Sequence, residues 1–145
     1  MKNKEVINSP ITFFDYERLR RKNEMESLSF NDEYRRRTKH IALKIIHFYK
    51  LLSNREELRI LGKQLMRSST SMAANFRAAC RGRSWSEHYA KLCIVVEECD
   101  ETLFWLEMIE ETRLISNTYI EPLKEETLAI LKVLSRARKT QKSFK

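Results

Sequence analysis

The chain has 145 residues, a formal net charge of +8, 42% hydrophobic and 33% charged residues, and only two Gly and two Pro. That length sets one domain with enough interior for a core without staples, while the scarcity of turn formers excludes a many-turned β-sandwich and the apolar content excludes wholesale disorder. The basic excess favours polyanionic partners, nucleic acid or an anionic membrane, without selecting between them.

The first 30 residues are the least regular. Ser9-Pro10 breaks any helix, and Thr12 to Ser27 forms at most a short one, with Phe13, Phe14, Tyr16 and Leu19 as its apolar content. This segment reads as an N-terminal arm, either solvated or used for docking. Helix 1 is predicted from about Asn31 to Ser53, capped by Asn31 or Asp32, with a stripe of Tyr34, Ile41, Ile45, Phe48 and Leu52 widened by Ala42 and Tyr49.

Helix 2 is predicted from about Glu56 to Arg81. Leu58, Leu61, Leu65, Met72, Phe76 and Ala79 mark one face, and Ser68, Ser71, Ala74 and Ala78 a second, small-residue face open to close helix approach. Gly82 is expected as its left-handed C′ residue. Helix 3 starts at Ser84, an N-cap with Glu87 three residues on, the pattern of a capping box. Trp85, Tyr89, Leu92, Val96, Cys99, Leu103 and Leu106 form its near-heptad seam, and Cys93, Val95, Phe104 and Trp105 add apolar surface outside it. Helix 4 is capped by Asn117 or Thr118, carries Pro122 in its first turn, and presents Ile120, Leu123, Ile130, Leu131 and Leu134. The bundle thus spans residues 31–139, and residues 140–145 read as a frayed basic tail.

Short connections favour up-down-up-down packing, so the fold class expected is an all-α, antiparallel four-helix bundle. That threading gathers the start of helix 1, the end of helix 2, the start of helix 3 and the end of helix 4 at one pole. These carry Arg35, Arg36 and Arg37; Arg77 and Arg81; Arg83 and Lys91; and Arg136, Arg138 and Lys139. The other pole collects Glu56, Glu57, Glu107, Glu110, Glu111, Glu121, Glu125 and Glu126, diluted by Arg55, Arg59 and Arg113. The helix dipole explains such sorting for helices 2 and 4 but not for 1 and 3, whose charges oppose it. The ten basic residues are therefore the candidate nucleic-acid surface, against the plain alternative of a solvated charged cap. Trp85 and Tyr89 lie near this pole and are assigned to the core rather than to base stacking. Arg67 is expected to pair across helices with Glu98 and Asp100.

Catalytic chemistry finds little support. No Glu-x-x-His pair offers a di-metal site, no Gly-rich loop cradles phosphate, and Cys80 beside His88 lacks a third orienting group. No enzyme activity, metal or cofactor is expected. The three Cys, at 80, 93 and 99, match neither a disulfide framework nor a zinc pattern and read as reduced core thiols in a cytoplasm. Neither a signal sequence nor an apolar run of about 18 residues is seen, so secretion and membrane spanning are not expected.

The run SSTSMAANFRAACRGRSWSEHYAKLCIVVEECDETLFWLEM, Ser68 to Met108, resembles the bacterial four helix bundle protein family. Its relatives include proteins encoded in intervening sequences of large-subunit ribosomal RNA genes and the accessory variability protein of diversity-generating retroelements. The family's Ser-x-x-x-Asn falls on Ser71 and Asn75, its Asn-aromatic-Arg-Ala on Asn75 to Ala78, and its Arg-x-Arg-Ser turn on Arg81 to Ser84. Its Glu-Glu-x-Asp-Glu-Thr falls on Glu97 to Thr102 and its Trp-Leu-Glu on Trp105 to Glu107. The likeness is specific over Gln64 to Glu111, looser over helices 1 and 4, and absent over residues 1–30; Ala73 stands where many relatives carry Pro. The resemblance implies structural roles for Asn75, Glu98, Asp100, Glu101 and Trp105, a homopentameric assembly, and, for the retroelement relative, binding of nucleic acid and an error-prone reverse transcriptase through a basic surface. The expectation for this chain is a non-enzymatic, oligomeric scaffold for nucleic acid or a nucleoprotein partner such as a reverse transcriptase. The alternative is an oligomer that binds only protein.

Overall fold

The structure, a computed structural model, describes residues 13–142, with side chains from Arg21 onward except Leu28. The expected break at Ser9-Pro10, the apolar side chains of Phe13, Phe14, Tyr16 and Leu19, and residues 143–145 of the tail lie outside what is described. Among the described residues the fold is all-α: α1 (Phe13–Leu52), α2 (Glu56–Cys80), α3 (Trp85–Glu111) and α4 (Asn117–Lys142), with no strand. No helix among them is long and apolar enough to cross a membrane.

Contacts divide the chain between Asp32 and Glu33. In the first unit, Arg21 to Ser27 are exposed, and Lys22 pairs with Glu26 one turn on at 3.8 Å. Helix α1 begins well before the expected start, and Asn31 and Asp32 lie inside it rather than capping it. From Phe13 to Leu52 there is no Gly or Pro. Ser, Asn and Asp inside a helix cost only about half a kcal/mol each, too little to interrupt a segment rich in Glu, Arg, Lys and Leu.

The second unit holds the core. The stripe expected on α1 is buried, Ala42 included, with Tyr49 half-buried at its edge and Thr38 added to it. Where α1 meets α2, a Cβ on Gly62 would stand 2.7 Å from the Tyr49 ring and 2.9 Å from a Leu52 methyl, so any larger residue would force these side chains to shift. The small-residue contact on α2 therefore differs from the one expected. Gly62, Ser68 and Ser69 are buried, whereas Ser71 and Ala78 are half-buried and Ala74 is exposed.

Between α2 and α3 the hydroxyls of Ser68 and Thr102 lie 3.0 Å apart, both fully buried. Arg67 bridges to Glu98 at 3.5 Å and hydrogen-bonds Glu101. Asp100, the other partner expected for Arg67, is exposed. Positions 98 and 101 are neighbours on one helix face, whereas 100 is turned away from it. On α3 the buried line is Leu92, Val95, Val96, Cys99, Thr102, Leu106 and Ile109, so Val95 belongs to the seam and Leu103, half-buried, sits at its edge.

Between α3 and α4, Lys124 pairs with Glu110 at 2.5 Å, and the Cys99 thiol donates to the Thr127 carbonyl at 3.6 Å. Burial pushes the Cys99 thiol up to about 12, which makes it an inert core group. Helix α4 starts at Asn117, so both expected caps, Asn117 and Thr118, lie inside it. The Ser116 hydroxyl accepts from the Thr118 N–H at 3.4 Å, and Pro122 is the sixth helical residue rather than part of the first turn. Its missing N–H falls on the exposed side of the helix, where water can satisfy the freed carbonyl.

Thr127 takes a core position that the apolar pattern did not mark. It is fully buried, and its hydroxyl has no hydrogen-bond partner among the described residues. Replacing it by the isosteric Val removes that polar group without opening a cavity. Thr127→Val is expected to stabilise the fold by about 1–2 kcal/mol, read as a higher urea midpoint at unchanged m-value.

Candidate nucleic-acid interface

The turn between α2 and α3 is built by local hydrogen bonds. The Arg81 N–H reaches the Ala78 carbonyl and the Gly82 N–H the Ala79 carbonyl, both at 3.1 Å. Gly82 does not adopt the left-handed conformation expected of it. Its requirement is spatial: a Cβ there would lie 3.1 Å from the His88 nitrogen and 3.3 Å from the Ala79 carbonyl oxygen. The Ser84 hydroxyl accepts from the Glu87 N–H at 3.1 Å, as the capping pattern implies. The Glu87 carboxylate returns one residue further back than the standard box, accepting from the Arg83 N–H at 2.8 Å.

His88 joins three helix ends. Its Nδ1 lies 2.8 Å from the Ala79 carbonyl at the end of α2. A carbonyl only accepts, so Nδ1 carries the hydrogen, and Nε2 is left to accept from the Gln141 amide at 2.8 Å. Residues 140–142, expected to be tail, are helical, and Gln141 docks on His88. With both nitrogens engaged, His88 has none left to act as a base toward Cys80. No group of three or more potential metal ligands occurs among the described residues.

This junction brings the end of α2, the start of α3 and the end of α4 to one place. Arg77, Arg81, Arg83, Lys91, Arg136 and Lys139 are exposed on these segments, and Arg138 is half-buried close to the Tyr89 phenol. That phenol is held above its ordinary range chiefly by its hydrogen bond with the Cys93 thiol and by burial, with Arg138 pulling the other way. The carboxylate at the turn, Glu87, is occupied by the Arg83 backbone.

The arginines of α1 do not join this group in the expected way. Arg37 is half-buried and donates from Nε and Nη2 to the two Glu126 oxygens, at 2.8 and 3.1 Å. It also donates to the Tyr34 hydroxyl at 3.0 Å and lies over that ring. Glu126 raises the Arg37 pKa further above its ordinary value. Arg37 is thus a tie between α1 and α4, and Glu126, assigned from the sequence to the opposite pole, touches it. At 1.5 Å per residue, Arg136 lies about 15 Å along α4 from that contact. Arg35 and Arg36 are exposed at the Arg37 level, not at the turn.

The residues marked as structural divide similarly. Asn75 donates to the Ser71 carbonyl at 2.9 Å and to its hydroxyl at 3.2 Å, within α2. Trp105 donates from its indole nitrogen to Glu101 at 3.0 Å, and Glu101 in turn holds Arg67. Glu98 and Glu101 thus fix α2 against α3, and Asp100 takes no part in that contact. Trp85 and Tyr89 are not core residues. Trp85 is 37% exposed, and the two rings stack at 5.1 Å between centroids with planes 6° apart.

Sequence reasoning missed the roles of His88 and Gln141, which lie on helices joined only in three dimensions. Neither residue sits in a pattern that marks it. The one available signal was the conjunction of a turn His with a polar helix end, which is too common to select.

The family model for 23S rRNA-intervening sequence proteins matches residues 31–136. A crystal structure from Bacteroides thetaiotaomicron, of a protein with unknown function from the S23 ribosomal protein family, is 30% identical to this chain with a TM-score of 0.69. The alignment covers 75% of this chain and 97% of that one. No curated protein matches.

Proposed function

The chain belongs to the 23S rRNA-intervening sequence protein family, and from that premise we propose that it is a non-enzymatic, antiparallel four-helix scaffold that binds nucleic acid through the basic junction around His88. The observation that carries this reading is the convergence of three helix ends on one imidazole, with Arg81, Arg83, Arg138 and Lys139 on those ends. Contacts that pair late α2 with early α3, and late α3 with early α4, support the antiparallel threading. In the cytoplasm, where this reading places the protein, the accessible polyanions are RNA, DNA and nucleoprotein assemblies such as a reverse transcriptase with its template.

Self-association is part of the proposal. Ile94, Phe104 and Met108 leave an exposed apolar strip on α3, and Leu43 and Ile46 another on α1, more than a solitary bundle needs to expose. We take the assembly number as five, the number that the resemblance implies. The same strips favour the second reading, an oligomer that binds only protein. Anisotropy with labelled RNA and DNA oligonucleotides across 50–300 mM salt separates the two. Nucleic-acid binding through four cations gives a log–log salt slope of about −3, and absence of binding at 50 mM salt selects the protein-only reading. Light scattering gives the assembly number on the same sample.

A further inference from the structure

We infer that one copy of this chain docks the outward side of its α1 onto the outward side of α3 of the next copy, a heterologous contact between a basic and an acidic face. This rests on the self-association reading above and names its two surfaces. From Tyr34 to Arg55 the sequence holds no Asp or Glu, and from Leu92 to Thr112 it holds no Lys or Arg. On α1 the line Ile41, Ile45, Phe48 and Leu52 is buried, and the opposite side exposes Lys39, Lys44 and Lys50 around Leu43 and Ile46, which are 46% and 40% exposed. On α3 the exposed side carries Glu97, Asp100 and Glu111 around Phe104 and Met108, which are 47% and 37% exposed. Phe104 keeps that exposure although its ring meets the Trp105 ring edge-on, 4.9 Å between centroids. Among the described residues, none of these lysine and carboxylate groups takes part in a hydrogen bond or an ion pair.

The two faces match in length and differ in sign. At 1.5 Å per residue, Lys39 to Lys50 spans about 17 Å and Glu97 to Glu111 about 21 Å. Helix α1 is tied to α2 at Gly62 and to α4 through Arg37 and Glu126, and α3 is tied to those same two helices. The faces therefore lie on different sides of the bundle, and one copy can engage two neighbours at once. Charge selects how. Contact of α1 with another α1 would set lysine against lysine, and α3 on α3 would set carboxylate against carboxylate. Contact of α1 with α3 brings opposite charges together around an apolar centre, the charges fixing orientation and the apolar side chains supplying affinity. A nucleic-acid backbone would satisfy the lysines but leave Leu43 and Ile46 without apolar partners. A contact between two different patches runs head to tail, and it closes into a ring when the rotation between copies allows.

The test follows mass by light scattering and the dissociation constant by sedimentation, on the full-length protein at 0.1 M salt. Reversing the basic face (Lys39→Glu, Lys44→Glu and Lys50→Glu) or the acidic face (Glu97→Lys, Asp100→Lys and Glu111→Lys) is expected to weaken association at least a hundredfold. Both sets on one chain exchange the signs, and the dissociation constant is expected to return to within about tenfold of the parent's. Raising the salt to 1 M should weaken the parent and the doubly reversed chain alike. All six side chains are exposed, and matching circular dichroism and melting among dissociated samples keeps a folding defect from imitating the result. If the doubly reversed chain stays dissociated, or if neither single-face variant weakens association, the contact is wrong, and a parent that still assembles keeps the self-association reading. If reversal of the α1 face removes oligonucleotide binding without changing the mass, that face belongs to nucleic acid and the contact is again wrong. A parent that is monomeric at tens of micromolar overturns both.

Discussion

Reversing Arg81, Arg83 and Lys139 together to Glu is expected to lower affinity for a single-stranded oligonucleotide at least a hundredfold at 0.1 M salt. Each phosphate neutralised on a single strand contributes about 0.7 to the log–log salt slope, which at 0.1 M is roughly fivefold in affinity. Three lost contacts give about two orders of magnitude, and the new carboxylates add repulsion beyond that. All three side chains are exposed, so the substitutions leave the buried core and the His88 bridges in place. The salt slope should become shallower by about two units along with the loss of affinity, which distinguishes lost contacts from misfolding. The informative comparison is Arg35→Glu with Arg36→Glu. The Arg37–Glu126 tie sets these arginines at a different level from the turn, so the pair should cost distinctly less. Equal losses at both places would mean that the ligand reaches from the turn to Arg35 and Arg36 and that the junction is not its centre.

The elements whose signal is local were legible in the sequence, and those set by a second helix were not. The line Leu58, Leu65, Met72, Phe76 and Ala79 on α2 is buried as its spacing requires, because an apolar face has nowhere else to go. The Ser84 cap of α3 was legible for the same reason: it is made by residues three apart. Thr127 and Thr102, by contrast, occupy core positions that a hydropathy pattern assigns to the surface, and each is placed by the helix that faces it. The start of α1 was misread because Asn31-Asp32 looks like a cap, yet a cap functions only where the preceding chain leaves the helix, and here nothing forces it to.

The basic surface shows the same division. Sorting charge by chain direction grouped the turn and the end of α4 correctly, since Ala79, His88 and Gln141 are in contact. It failed for Arg37, because the offset between α1 and α4 cannot be read from either helix alone. A charge on a long side chain also finds the nearest opposite charge across the groove, whichever end its number suggests. Trp85 was misassigned because seam spacing marks a face of the helix, while exposure depends on whether the facing helix extends that far.

Phe76→Ala is expected to cost about 3–5 kcal/mol, the largest loss from a single truncation in the core. Phe76 is 1% exposed and heads the fully buried side chains by volume, so its removal leaves a cavity as well as forfeiting burial. Ala is the better helix former by about half a kcal/mol, which offsets only a small part of this. The neighbouring groups cannot absorb the change. Asn75 is held to Ser71 by two hydrogen bonds, and Arg77 points to solvent. Against a typical total stability of about 5–15 kcal/mol the variant should remain folded in the cold but melt roughly 10–20 °C lower. Phe76→Leu, which keeps most of the volume, should lose only about 1–1.5 kcal/mol. The melts should be compared at one protein concentration, because association of the folded chain would raise the apparent stability of parent and variant alike. A loss below about 1 kcal/mol for the Ala variant would mean that the site collapses without a cavity. In that case the middle of α2 would be a loosely packed face, and the close approach at Gly62 and the Ser68–Thr102 hydrogen bond would carry the helix against its neighbours.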